Sequence, residues 1–197
     1  MIISFSGVHG CGKTTVVDTS HKLLEYSIVI PEVVLPVRLG EIFHVSKPAI
    51  QWVFLHNEMK KKLKLNSYSA FADRLYLVDR WYQDSLFYTS IYRKMGFISS
   101  KEAALIRRMY SFNEEANFIQ PDIKVLLTCS LNALKERIVA RGQLRDYEQD
   151  WKFTKSVHDT FKRHSNLFDY VCDTTKKSPE DIVKEVQRLI VQSSEQT

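Results

Sequence analysis

Near the start of the chain, Gly7-Val8-His9-Gly10-Cys11-Gly12-Lys13-Thr14 fits the pattern G-x-x-x-x-G-K-[ST]. Phosphate oxygens need several backbone N–H donors converging on them, and only a loop free of Cβ atoms wraps an anion that closely. A helix opening at Lys13 adds unpaired amides and the positive end of its dipole. Lys13 is expected to reach the β- and γ-phosphates, and the Thr14 hydroxyl to ligate Mg²⁺. The residues expected to hold a nucleoside triphosphate are Gly7, His9, Gly10, Cys11, Gly12, Lys13, Thr14 and Thr15, with the Cys11 thiol itself out of contact.

Two further groups gain meaning behind such a loop. Asp79-Arg80 directly follows the apolar run Leu75–Val78. A carboxylate at the carboxyl end of a buried parallel strand points into the crevice where open α/β sheets bind ligands. Asp79 is expected to hold Mg²⁺ through water, and Arg80 to present a planar, bidentate contact to an acceptor phosphate. Standing alone, the pair reads as a strand-end ion pair. Arg137 and Arg141 are four apart and share one helix face, Gly142 interrupts that helix, and Arg145 follows. A mobile lid over about residues 137–150 would carry guanidinium groups to the charge that develops on a transferring γ-phosphoryl. By itself the stretch reads equally as a solvated basic helix end.

The elements that must position these groups alternate short apolar runs with longer helical ones, the mark of βαβ units around a parallel sheet. Strands are predicted at Ile2–Ser6, Tyr26–Ile30, Leu75–Val78, Asp122–Thr128 and Tyr170–Cys172. Helices are predicted from Lys13 to about Glu25, from Pro48 to about Leu65, and around Leu131, Leu134 and Ile138. The last helix is the best marked, with Ser178 as N-cap, Pro179 at N1, Asp181 at N3, and Ile182, Val183, Val186, Leu189 and Ile190 on one face. The expected architecture is α/β: a three-layer P-loop NTPase fold with a five-stranded parallel sheet, about seven helices on its two faces, and one domain over residues 1–197.

Composition narrows the classes of function. A chain of 197 residues that is 44% hydrophobic, with 6 Gly and 5 Pro, is not disordered. Its 28 Lys and Arg against 23 Asp and Glu give a net charge of +5, suited to a polyanionic ligand without choosing between nucleotide and nucleic acid. Lys60-Lys61-Lys62, beside Lys64, reads as a solvated helix face, so nucleic acid is not the expected partner. Cys11, Cys129 and Cys172 are odd in number and far apart, which excludes a disulfide scaffold and points to reduced thiols in the cytoplasm. No apolar run approaches a membrane span, and the apolar start meets Gly7, His9 and Lys13 too early for an export signal.

In this order the three groups resemble the thymidylate kinase branch of the P-loop nucleoside monophosphate kinases. The likeness runs from about Ile2 to Asp173. It includes Pro31-Glu32 followed by Leu39-Gly40-Glu41, then Asp79-Arg80-Trp81 with Ser85, and finally Ala140-Arg141-Gly142-Gln143-Leu144 with Glu148-Gln149-Asp150 and Phe153. The resemblance implies Mg²⁺-dependent phosphotransfer from ATP to a deoxynucleoside monophosphate, most simply dTMP, and a possible homodimer. Gly10 stands where some members carry a catalytic arginine, so Arg141 and Arg145 resemble the lid-borne type. Phe54 matches the base-stacking position, and Tyr82 is read either as lining the acceptor pocket or as core packing. Departures gather on the acceptor side. His9 replaces an acidic residue, His44 and Glu58 replace arginines, and Leu144-Arg145-Asp146 displaces the lid arginine by one residue.

A deoxynucleoside kinase is the neighbouring reading. It needs a general base for a neutral 5′-hydroxyl, whereas a monophosphate acceptor arrives ionised. Glu32 is read either as that base or as a supporting carboxylate, and Arg38 either as compensation for His44 or as a surface charge. A nonenzymatic nucleotide-dependent binding protein is the third reading. A GTP-gated switch is excluded, because Asp79 is followed by Arg80-Trp81-Tyr82 where Asp-x-x-Gly is required, and no Asn-Lys-x-Asp occurs.

Overall fold

A computed structural model describes residues 1–32, 47–68, 74–115, 119–142 and 150–194. Five strands form one sheet: β1 (Ile2–Ser6), β2 (Ser27–Ile30), β3 (Leu75–Asp79), β4 (Ile123–Thr128) and β5 (Tyr170–Asp173). Their order is β2-β3-β1-β4-β5, and every pairing is parallel. The central strand β1 is buried at all positions, as expected of a parallel strand covered on both faces. Leu126 and Leu127 of β4 are likewise fully buried, each worth about 1.5–3 kcal/mol of transfer free energy.

Seven α-helices lie among the described residues: α1 (Lys13–Leu23), α2 (Lys47–Tyr68), α3 (Tyr82–Lys94), α4 (Ser100–Glu115), α5 (Leu131–Ala140), α6 (Trp151–Arg163) and α7 (Pro179–Ser194). Helix α1 packs on α7, while α2, α3, α4 and α6 pack among themselves. These two groups give the expected layers on either side of the sheet. None of the described helices is long and apolar enough to cross a membrane. The three cysteines are free and buried.

The predicted strands are all present, with shifts at their ends that have local causes. Tyr26 turns the chain with φ 63°, so β2 begins at Ser27. Strand β3 runs one residue further, to Asp79, because that residue still pairs in register with Phe5. The N-cap of α7 is as predicted: Ser178 Oγ accepts from Asp181 N at 3.1 Å, and Asp181 Oδ2 accepts from Ser178 N at 3.3 Å. Helix α6 had not been predicted. Its N-cap is Asp150, whose carboxylate accepts from Phe153 N at 3.0 Å, and Phe153, Val157 and Phe161 form its buried stripe.

Candidate functional site

Strands β1 and β3 are neighbours, so the loops leaving their carboxyl ends meet. The β1–α1 loop turns at Gly7, whose φ is +144°. A Cβ there would lie 2.4 Å from the Leu127 carbonyl oxygen, so only glycine lets the loop pass β4. Gly12, the N-cap of α1, is left-handed at φ +102° with nothing within 4 Å of a Cβ position. That open space is what an anion at a helix N-terminus requires. Lys13 is buried, and its Nζ donates to the carbonyls of Gly7 at 3.0 Å and Val8 at 3.1 Å. Its ammonium thus lies folded along the loop.

Thr14 Oγ1 donates to Asp79 Oδ2 at 2.7 Å. The other carboxylate oxygen, Asp79 Oδ1, is buried and has no hydrogen-bond partner among the described residues. Leaving a carboxylate oxygen buried and unpaired is costly. The two residues expected to share a divalent cation are therefore in direct contact, with one acceptor oxygen still unsatisfied.

Arg80 follows with φ 65°, a left-handed conformation that costs a non-glycine residue about 1–3 kcal/mol and clusters at functional sites. The turn aims its guanidinium back at the loop. Nε donates to Glu32 Oε1 at 2.5 Å, and Nη1 donates to Asp84 Oδ2 at 2.9 Å and to the Gly7 carbonyl at 3.1 Å. The Tyr88 ring lies 5.6 Å from the guanidinium carbon. Burial opposes the charge on Arg80, but Glu32 foremost, with Tyr88, Asp84 and Asp79, outweighs it and holds the group protonated. Burial likewise pushes the Glu32 carboxyl upward. The charges of Arg80 and Lys13, with the Arg80 hydrogen bond and Lys61, overcome this and bring it down to about 2. Asp84 goes the other way. Its burial wins over Arg80 and raises it to about 6.

The remaining expected residues divide. The His9 imidazole is turned away from the cradle: it pairs with Thr154 Oγ1 at 2.9 Å and Tyr88 Oη at 3.3 Å and stacks on Phe153, so it ties the loop to α3 and α6. The Cys11 thiol is fully buried, while the Cys11 carbonyl accepts from Thr174 Oγ1 at 3.0 Å and Arg137 Nη1 at 3.4 Å. Arg137 also donates to the Thr174 carbonyl at 2.6 Å, so it fastens α5 to the loop and to the segment after β5. Arg141 sits at the C-cap of α5 and lines the same cleft as the loop. Arg38, His44 and Arg145 lie outside the described residues. Phe54 is half-buried on α2. Of the two readings of Tyr82 the structure shows the packing one: it is buried against Trp81 and Tyr110, because α3 starts at Tyr82 and directs its ring into the helical layer.

The reading of Lys60-Lys61-Lys62 as a solvated face is corrected by burial: Lys60 is exposed, but Lys61 and Lys62 are 6% and 1% exposed. Helix α2 packs against α3 and α4, so two of three consecutive residues necessarily turn inward. The Lys62 ammonium stands 4.8 Å over the Tyr82 ring. The sequence reading also missed Asp84, although its position four residues after Arg80 at a helix start is a usable signal.

A cleft of about 590 Å³ is lined by the loop from His9 to Val16, by Glu32 and Arg80, by Arg137 and Arg141, and by Thr174, Lys177, Pro179 and Ile182. Its size suits a small-molecule ligand. No protein-family model and no curated protein matches the chain. Among solved structures it is similar to deoxyadenosine kinase from M. mycoides. With bound dATP that enzyme shares 16% identity and a TM-score of 0.78 over 96% of this chain and 99% of that one. With the products dCMP and a flexible dCDP, the figures are 15% and 0.75 over 98% and 100%. The chain is also similar to thymidylate kinase from Candida albicans, at 18% identity and TM-score 0.69 over 98% of this chain and 92% of that one. At these identities the likeness establishes the fold alone, which this chain shares with those enzymes over nearly the whole length of each chain.

Proposed function

We propose that the protein is a nucleoside or nucleotide kinase that moves the γ-phosphoryl group of ATP to a 5′ oxygen. The observation that carries this is the contact of Thr14 with Asp79, one of whose carboxylate oxygens is buried and unpartnered beside an open, glycine-lined helix N-terminus. Those residues fit a hydrated Mg²⁺ held by Thr14 directly and by Asp79 through water. When bound, the ion would neutralise charge on the β- and γ-phosphates.

The chain's own groups do the rest. Backbone amides from Gly10 to Thr15 grip the donor phosphates, and Lys13 swings from the Gly7 and Val8 carbonyls toward the β- and γ-phosphates. Arg141, at the edge of the expected lid, closes over the transferring group, with Arg145 as the second lid arginine. Thr174, Lys177, Pro179 and Ile182 offer a wall for the donor base.

For the acceptor, the surroundings of Arg80 favour a neutral hydroxyl. Two carboxylates, Glu32 and Asp84, already bond this arginine, and a phosphate monoester would meet their repulsion. Glu32 is ionised at neutral pH and 29% exposed, so it can accept a hydrogen bond from a nucleoside 5′-hydroxyl and take its proton, with a basicity that the pairing with Arg80 lowers. The second reading, phosphorylation of dTMP, draws on the Nη2 donors of Arg80, which have no partner among the described residues, and on Phe54 as a base-stacking ring. Incubation with Mg-ATP and a panel of nucleosides and monophosphates, followed by ADP release, separates the two. Turnover with a nucleoside is expected, turnover confined to dTMP would install the second reading, and nucleotide binding without any acceptor would leave a binding protein.

A further inference from the structure

The left-handed turn that aims Arg80 is held from outside the site. Lys61 Nζ, reaching across from α2, donates to the Asp79 carbonyl at 2.8 Å and to the Arg80 carbonyl at 3.3 Å. These are the two peptide oxygens on either side of the residue with φ 65°. Its charge is balanced by Glu58 Oε1 at 3.2 Å, one turn earlier on the same helix, and both side chains are buried. A buried lysine is expensive unless paired and hydrogen-bonded. Among the described residues, both of its hydrogen bonds to carbonyls serve this one turn and Glu58 neutralises it, while its charge also reaches Glu32.

We propose that Lys61, charge-balanced by Glu58, is a positioning residue that clamps the Asp79–Arg80 turn and so sets the placement of the Arg80 guanidinium against Glu32, Asp84 and the Gly7 carbonyl. Arg80 Nε–H bonds Glu32 only while the backbone stays left-handed. An extended backbone at this residue sends the side chain elsewhere. Cutting the clamp therefore moves a site cation and its bond to the Gly7 carbonyl, while the backbone amides of the cradle stay where β1 and α1 hold them.

The test replaces the pair together, Glu58→Gln with Lys61→Met, so that no buried charge is stranded. Its first readout needs no turnover. The Arg80 Nε–H proton, assigned by its disappearance in Arg80→Lys, should give a protected NMR signal in the wild type and lose that protection in the double variant. The kinetic readout rests on the phosphotransfer reading: kcat should fall about 10²-fold, as for a misplacement of about 1 Å, with the Kd for ADP measured without Mg²⁺ unchanged. The same replacement made on Arg80→Ala should cost almost nothing further, because the clamp acts through Arg80. A retained NMR signal, or an equal additional loss on Arg80→Ala, overturns the proposal. A lost signal in a protein that phosphorylates no acceptor leaves the clamp standing and removes the kinase reading. Should the double variant not fold, the same replacement on Arg80→Gly should restore folding, since glycine holds φ 65° without a clamp. Failure to restore it also overturns the proposal.

Discussion

The two sides of the cleft are built by different means. The phosphate loop is local: eight consecutive residues, three of them glycines, place backbone amides and one lysine around a single empty region. The wall around Arg80 is assembled from afar. Arg80 leaves β3, Glu32 follows β2, Asp84 opens α3, and Lys61 arrives from α2 to hold the turn. The Gly7 carbonyl joins the halves, because it accepts from both Lys13 and Arg80. A backbone cradle recurs wherever its short sequence recurs. A side-chain wall changes with each substitution, so on the proposed function it is the wall that would discriminate acceptors.

The largest blow to the comparison falls on the loop. Lys13→Ala should abolish turnover, measured as ADP release, while circular dichroism still shows a folded protein. Unchanged turnover would show that the cradle has no part in the chemistry. Next, Arg141→Ala should lower kcat by about 10³, as loss of a lid arginine does in phosphoryl transfer, with little change in the KM for ATP. Glu32→Gln sharpens the contrast between acceptors. It should lower kcat for a nucleoside by about 10², and a much smaller loss would favour an acceptor that arrives ionised.

The smallest effect is on stability. Asp84 is raised by burial to about 6, above the ordinary aspartate value of about 3.9. The folded state therefore binds this proton more tightly, and stability falls as pH rises from about 4 to about 6. Urea melts across that window should show a slope that Asp84→Asn removes. Glu32, lowered to about 2, has the opposite sign: its contribution is present above about pH 4 and is lost as pH falls toward 2.

Much of the frame was legible in advance. The five strands announced themselves as short, continuous apolar runs because both sheet faces are covered, and Ser178-Pro179-x-Asp181 marked a helix start by its own hydrogen bonds. Helix α6 was missed because Phe153 had been assigned to the lid string. The loop residues were legible for the same local reason, yet His9 shows the limit of the motif, since its backbone belongs to the cradle while its ring serves α3 and α6. Lys61 was misread outright. Three successive lysines look solvated in sequence, and only the crossing of α2 over the Asp79–Arg80 turn decides which of them is buried.

From its own residues the chain specified a parallel α/β sheet, a glycine-lined loop at a helix N-terminus and the Asp79-Arg80 pair at a strand end, all consequences of interactions spanning a few positions. Only the folded chain decided that Glu32 and Asp84 both clasp Arg80, that Tyr82 belongs to the packing, and that a lysine on α2 braces the turn. Those contacts span between four and forty-eight residues of sequence. Apart from the four-residue spacing of Asp84 from Arg80, they depend on how helices cross and on which charges burial forces together, and no local pattern encodes either.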